Sequence, residues 1–221
     1  MKNETIDWNK GATITSILAV IFGIFLGLPM LLSKPEILLT TSIIFYIILY
    51  MFATIGHYDD IINPRITKQD VIDTLLGGLI SFIMIEVLFM MGLTMLRTPT
   101  LAVMTRSEAI YFNLGFVVPG EELIFRDTLP YVLTILLTSI NIKGATLGEK
   151  NSVIFAFIIS SITFGMLHFA AYNLDPVALL QAVIAGIILS FVRIKFGIGA
   201  SFTGHALFNV MNLLGLFILP T

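Results

Sequence analysis

SEAIYFNLGFVVPGEELIFRDTLPYVLTILLTSINI, residues 107–142, decides how the chain is to be understood. Both ends are apolar enough to enter a bilayer, yet between them lie Pro119-Gly120, Glu121, Glu122, Arg126, Asp127 and Pro130. A charged side chain costs on the order of 2.5–3.5 kcal/mol at mid-span even on the lenient insertion scale, so such a cluster needs partners and a purpose. As one interrupted helix the stretch crosses once. As two part-helices, 107–118 and 127–142, it crosses twice.

The rest of the chain argues that the cluster is embedded in lipid. Of 221 residues, 57% are hydrophobic and 12% are charged, against about 25% charged in soluble domains. With 12 basic and 14 acidic residues and a mean hydropathy of +0.99, the surface cannot be covered by charge and must face hydrocarbon. The fold class is therefore all-α, a polytopic transmembrane helix bundle enclosing a polar cavity. The opening MKNETIDWNK is polar, and the apolar run after it is too long, and lacks the small-residue cleavage site, for a signal peptide. Apolar stretches at 11–32, 37–56, 75–96, 152–171, 176–192 and 198–219 each approach the roughly 20 residues that cross about 30 Å. With 107–142 they make seven spans, eight being the alternative.

Basic residues test that count, because cytoplasmic loops carry the excess. Seven crossings put Lys2, Lys10, Arg65, Lys68, Lys143, Lys150, Arg193 and Lys195 on one side, and Lys34, Arg97 and Arg106 on the other. The N-terminus is then expected in the cytoplasm, in a cell-membrane protein with many passes. No internal repeat or soluble domain is visible. Residues 1–221 read as one integral membrane domain, with a catalytic-type core over about 107–212. The absence of cysteine removes thiol nucleophiles and Cys-based zinc sites, and a net charge of −2 argues against nucleic acid.

Three embedded places carry ionisable or amide groups. In the first, Glu122 and Arg126 are four apart on one helix face, so the arginine neutralises that carboxylate while Glu121 points elsewhere. The second is Phe164-Gly165-Met166-Leu167-His168, near the end of an apolar span. The third is His205-Ala206-Leu207-Phe208-Asn209, which puts an imidazole and a carboxamide on one stripe of the last helix. Each has a bland interpretation: a structural ion-pair lock, a packed histidine, interhelical hydrogen-bond glue. Convergence changes the balance, since three spans with polar groups offset the burial cost most simply by facing one another around a wet cavity.

A carboxylate, an imidazole beside it and two further donors are the inventory for activating water against a carbonyl. Glu121 would take a proton from water and pass it to the leaving amine, and His168 would hold that water. His205 and Asn209 would donate to the oxyanion, and Arg126 would neutralise Glu122 and orient the helix. Other hydrolase signatures are missing. No histidine begins HExxH. Gly197-Ile198-Gly199 is followed by Ala200 rather than the aspartate of an aspartyl-type membrane protease, and Gly199-Ala200-Ser201-Phe202-Thr203 lacks the closing glycine of a serine elbow. A zinc site built from Glu121, His168 and His205 stays open as an alternative; otherwise no cofactor is expected.

At these residues the sequence resembles the CPBP family of intramembrane glutamic endopeptidases, also called the CAAX protease and bacteriocin-processing or Abi family. Its pattern of EExxxR, FxxxH and HxxxN corresponds to Glu121-Glu122…Arg126, Phe164…His168 and His205…Asn209, in order, over about 107–212. The resemblance implies water activation by Glu121 with His168, and an oxyanion site of His205 with Asn209. It also implies a lipid-embedded enzyme acting on a peptide or protein segment, prenylated in the type II CAAX branch. Other branches are bacteriocin maturation, self-immunity and scaffold-like members. A proton-coupled transporter would also use embedded acids and histidines, although the two similar halves with paired broken helices are lacking. One departure is Asp127, where the family usually has glycine after the arginine; this acid is expected to compete with Glu122 for Arg126.

Some residues are expected to be structural. Glu86 either lines a cavity or pairs with a distant base, and His57 with Asp59 and Asp60 reads as a solvated loop. Asn113, Asn141 and Gln181 are expected to make helix–helix hydrogen bonds, and Trp8 to anchor at the membrane interface.

Overall fold

In the computed structural model, which describes residues 8, 12–27, 66–90, 105–142, 145–171 and 176–214, the apolar runs fold as helices. Six lie among the described residues: α1 Ala12–Phe22, α2 Lys68–Met90, α3 over 106–139, α4 Glu149–Ala171, α5 Pro176–Phe196 and α6 Ile198–Leu214. A two-residue antiparallel ladder, Asn141–Ile142 with Ala145–Thr146, joins α3 to α4. Lys68–Phe89, Glu149–His168 and Pro176–Phe196 are long and apolar enough to cross a membrane. Length and composition thus allow three crossings among the described residues. The expected seven are not reached within the described residues: 37–56 lies wholly outside them, and 11–32, 75–96 and 198–219 lie partly outside.

The ambiguous stretch is a single helix wound with two pitches. Thr105 caps it through a capping box, its hydroxyl accepting from the Glu108 N–H while the Glu108 carboxylate accepts from the Thr105 N–H at 2.7 Å. Beyond Phe112 the winding widens over Asn113–Val117, returns to α over Val118–Glu122, widens again over Leu123–Thr128, and continues as α over Leu129–Ser139. Asn113, Val118, Leu123 and Leu129 at the junctions all keep right-handed helical dihedrals. The interruption is therefore a change of hydrogen-bond register. Pro119 and Pro130 explain it, since each lacks an N–H for the carbonyl four residues back and its ring crowds that carbonyl; a π-turn just before each relieves both. Ile140 is extended (φ −76°, ψ 119°) and turns the chain into the ladder, so the helix ends before the expected 142.

Small residues set how closely the helices approach. A Cβ at Gly77 would stand 2.7 Å from the Cβ atoms of Phe196 and Ala200, and one at Gly78 2.7 Å from Thr203 Cβ, so α2 and α6 meet backbone to backbone. On α4 and α5, Gly186 faces Ser161, whose hydroxyl lies 3.1 Å from that of Ser190. Gly197, at φ 97°, adopts the left-handed conformation that closes α5, its N–H bonding the Arg193 carbonyl at 3.0 Å. The helix therefore runs to Phe196 rather than 192, which places Arg193 inside the bundle instead of in a loop.

Ile85, Ala185, Leu189 and Phe208 form a core joining α2, α5 and α6. Large apolar side chains such as Leu75, Leu79, Phe155 and Met166 point outward, as a lipid-facing surface requires. Gln181 corrects an expectation: it is buried, and neither amide atom has a hydrogen-bond partner. Asn113 does bridge helices, accepting from Asn209 Nδ2 at 3.0 Å. Glu86 is buried with Oε1 unpartnered. His57, Asp59 and Asp60 lie outside the described residues.

Candidate active site

Glu121 and Glu122 occupy the short α-turn between the two π-wound stretches of α3, 2% and 0% exposed. Residue 122 is followed four positions later by Arg126, itself fully buried, whose Nε lies 3.8 Å from Glu122 Oε1. The guanidinium stacks over the Phe164 ring at 4.4 Å, so an α4 aromatic supplies a second favourable contact. Ser160 on α4 donates to the Phe125 carbonyl at 2.6 Å. That bond satisfies a main-chain acceptor on the π-wound stretch and ties it to α4.

The other two motifs meet this turn from α4 and α6. His168, from the last turn of α4, brings Nε2 to 3.4 Å from Glu121 Oε1. Its Nδ1 is 2.8 Å from the Phe164 carbonyl; a carbonyl oxygen can only accept, so Nδ1 carries the hydrogen. His205 on α6 lies between the two acids, with Nδ1 2.8 Å from Glu122 Oε1 and Nε2 3.4 Å from Glu121 Oε2. The structure thus brings Glu121, Glu122, Arg126, His168 and His205 into one cluster. Asn209 stands one helical turn beyond His205, bonded to Asn113.

Two participants were not foreseen. Ser201, four residues before His205 on the same stripe of α6, donates a short hydrogen bond to Glu122 Oε2. The i,i+4 spacing of Ser201, His205 and Asn209 is the signal in the sequence that places this hydroxyl on the stripe of the site. The second is Arg193, which takes Asp127 at 3.0 Å. Asp127 is thereby held by α5, and the anticipated contest for Arg126 does not arise, because Glu122 keeps that arginine. An embedded aspartate calls for a cation, and Arg193 supplies it because its helix runs past the apolar stretch that ends at Val192.

Glu122 is surrounded by His205, Ser201 and Arg126, the pattern of a carboxylate that orients others. Glu121 meets its two imidazole nitrogens at a longer 3.4 Å, a looser set of contacts than those of Glu122. Among the described residues no group of three or more His, Asp or Glu side chains has a metal-holding arrangement. The arrangement can orient water between an acid and a base.

Fold and site together define a helical membrane protein built around an enclosed glutamate–histidine centre. Residues 103–211 match the family model described as type II CAAX prenyl endopeptidase Rce1-like, and the chain belongs to that family over this stretch. Membership makes it a membrane protein of protease, hence hydrolase, class. No curated protein and no solved structure gives a significant match.

Proposed function

We propose that the protein is a glutamate-dependent intramembrane peptidase that hydrolyses a peptide bond in a membrane-proximal segment. The observation that carries this reading is Glu121, buried and set 3.4 Å from both His168 Nε2 and His205 Nε2, in a chain of an endopeptidase family. Because His168 commits its Nδ1–H to the Phe164 carbonyl, Nε2 is the nitrogen that faces Glu121, and in the neutral ring it presents a lone pair there. A lone pair and a carboxylate oxygen repel unless protons lie between them, and one water satisfies both.

Glu121 takes a proton from that water as its oxygen adds to the scissile carbonyl carbon. The new oxyanion is held by donors from α6. In its doubly protonated form His205 gives Nδ1–H to Glu122 and keeps Nε2–H for the oxyanion, with the second amide hydrogen of Asn209 beside it. Collapse of the intermediate breaks the C–N bond, and Glu121 delivers its proton to the departing amine. The products are a carboxylic acid and an amine. Glu122, Ser201 and Arg126 touch no reacting atom; they fix the turn and the imidazole.

The substrate we assign is a peptide bearing an isoprenoid, which a lipid-embedded site would receive from the bilayer. The test is cleavage of a farnesylated CAAX peptide and its unprenylated twin by purified protein, with Glu121→Gln alongside. Cleavage of the farnesylated peptide alone, lost in the variant, supports the whole reading. Equal cleavage of both removes the prenyl requirement, and activity retained by Glu121→Gln removes the mechanism. Activity surviving exhaustive chelation retires the zinc alternative. A scaffold or immunity role would leave the variant's cellular effect intact, and no observation of this chain favours the bacteriocin branches.

A further inference from the structure

Asp127 follows the motif arginine directly and lies at the downstream end of the π-wound stretch Leu123–Thr128. Its carboxylate meets a second, separate cation. Arg193 Nη2 is 3.0 Å from Asp127 Oδ1 and also donates to the Trp8 carbonyl at 2.7 Å. The guanidinium stands 5.6 Å from the Trp8 ring. That ring stacks on Phe157 of α4 (5.8 Å, interplanar 9°) and meets Tyr131 of α3 edge-on (5.5 Å, 77°). Trp8 is therefore docked among α3, α4 and α5 rather than serving only as an interfacial anchor.

We propose that Trp8, Arg193 and Asp127 form a latch that positions the turn bearing Glu121 and Glu122. The inference rests on the peptidase reading and adds to it a control on geometry. A π-wound stretch trades regular i→i+4 bonds for wider ones, so the rotation of the turn bearing Glu121 and Glu122 depends on contacts outside the helix. Two such contacts hold its downstream end: Ser160 to the Phe125 carbonyl, and Arg193 to Asp127. Arg193 is 0% exposed, and a buried guanidinium that engages carboxylate and carbonyl at once is a rigid fastener. Trp8 completes it by giving the guanidinium both an acceptor and an aromatic face. None of the three touches reacting atoms; they are positioning residues. Loosening them lets the Glu121 carboxylate drift relative to His168 and His205, and a displacement of about 1 Å costs on the order of 10²-fold in rate.

The full-length protein in detergent supplies two independent readouts. The first is steady-state cleavage of the farnesylated peptide by Asp127→Asn, Arg193→Gln, Arg193→Lys, Trp8→Ala and the Trp8→Ala/Arg193→Gln double variant. The latch predicts that Asp127→Asn and Arg193→Gln lower kcat by about 10- to 100-fold with KM within about twofold. Arg193→Lys recovers part of the loss, and Trp8→Ala adds little on top of Arg193→Gln, because coupled sites are not additive. The second readout uses Trp8 as the one tryptophan of the chain: acrylamide quenching should rise in Asp127→Asn, since Arg193 bonds both Asp127 and the Trp8 carbonyl. Unchanged kcat in Asp127→Asn, or strictly additive losses, overturns the latch. If removing a buried partner prevents folding, Trp8→Ala alone decides, and full wild-type kcat in it overturns the proposal. An inactive wild type would instead sink the peptidase reading, which keeps the two failures apart.

Discussion

Glu121 and Glu122 are neighbours in sequence and opposites in surroundings. Glu122 is enclosed by an imidazole, a hydroxyl and a guanidinium, whereas Glu121 faces two imidazoles at a longer 3.4 Å. Their amides should behave differently. Glu121→Gln is expected to lower peptide turnover by about 10²- to 10⁴-fold, the usual contribution of a general base, with thermal unfolding in detergent close to wild type. Removing one donor from the saturated acid has the opposite signature. Ser201→Ala leaves a buried carboxylate oxygen short of a partner, which costs about 1–3 kcal/mol; a lowered unfolding temperature with a smaller loss of turnover would show it, and an unchanged midpoint would refute it. Much of this was legible in the chain, since EExxxR and HxxxN are i,i+4 spacings and place partners on one stripe without any tertiary knowledge. The rest was not. Ser201 and Arg193 act across helices, and no local pattern says which embedded hydroxyl or cation a given carboxylate will meet.

Among the elements, helix existence followed from apolar run length, whereas helix ends followed from single residues that composition does not weigh. Gly197 carries α5 one turn past its expected end and so buries Arg193; Ile140 ends α3 early; two prolines rewind α3 without breaking it. The α2–α6 contact has the same character. A Cβ at Gly204 would come within 2.9 Å of the Gly78 carbonyl and of Ser81 Cβ, and it would also collide with the Ser81 hydroxyl. Because a main-chain atom is involved, a rotamer change cannot remove the conflict. Gly204→Ala should therefore destabilise the protein by about 1–3 kcal/mol, the ordinary cost of overpacking, and should also lower turnover because His205 is the next residue. Adding Ser81→Gly should return part of both. Gly148, in the α3–α4 connection with nothing near its missing Cβ, is the control: Gly148→Ala should shift the unfolding midpoint little. Equal effects at the two glycines would refute close α2–α6 packing.

At the scale of the whole molecule, the contacts fix which helix ends lie together. Gly77 of α2 packs on Phe196 at the end of α5, and Thr74 faces Gly199 at the start of α6, while α4 runs antiparallel to α5 through Gly165 opposite Val183 and Gly186 opposite Ser161. The starts of α2, α4 and α6 and the end of α5 therefore share one end of the bundle. Lys68, Lys150 and Lys195 collect there. A basic excess within a few residues of span ends marks the cytoplasmic face, so that end should lie inside the cell and the start of α5 outside. The chain has no cysteine, which makes single substitutions clean reporters. Gln69→Cys, Asn151→Cys and Val177→Cys sit at exposed positions near span ends, and none removes a topology-setting charge. In intact cells an impermeant maleimide should label Val177→Cys alone, and permeabilisation should expose Gln69→Cys and Asn151→Cys together. The inverse pattern would reverse the orientation while leaving the bundle intact. Labelling of Gln69→Cys and Asn151→Cys from opposite faces would contradict the packing itself, because α2 and α4 could not then begin on the same side of the membrane.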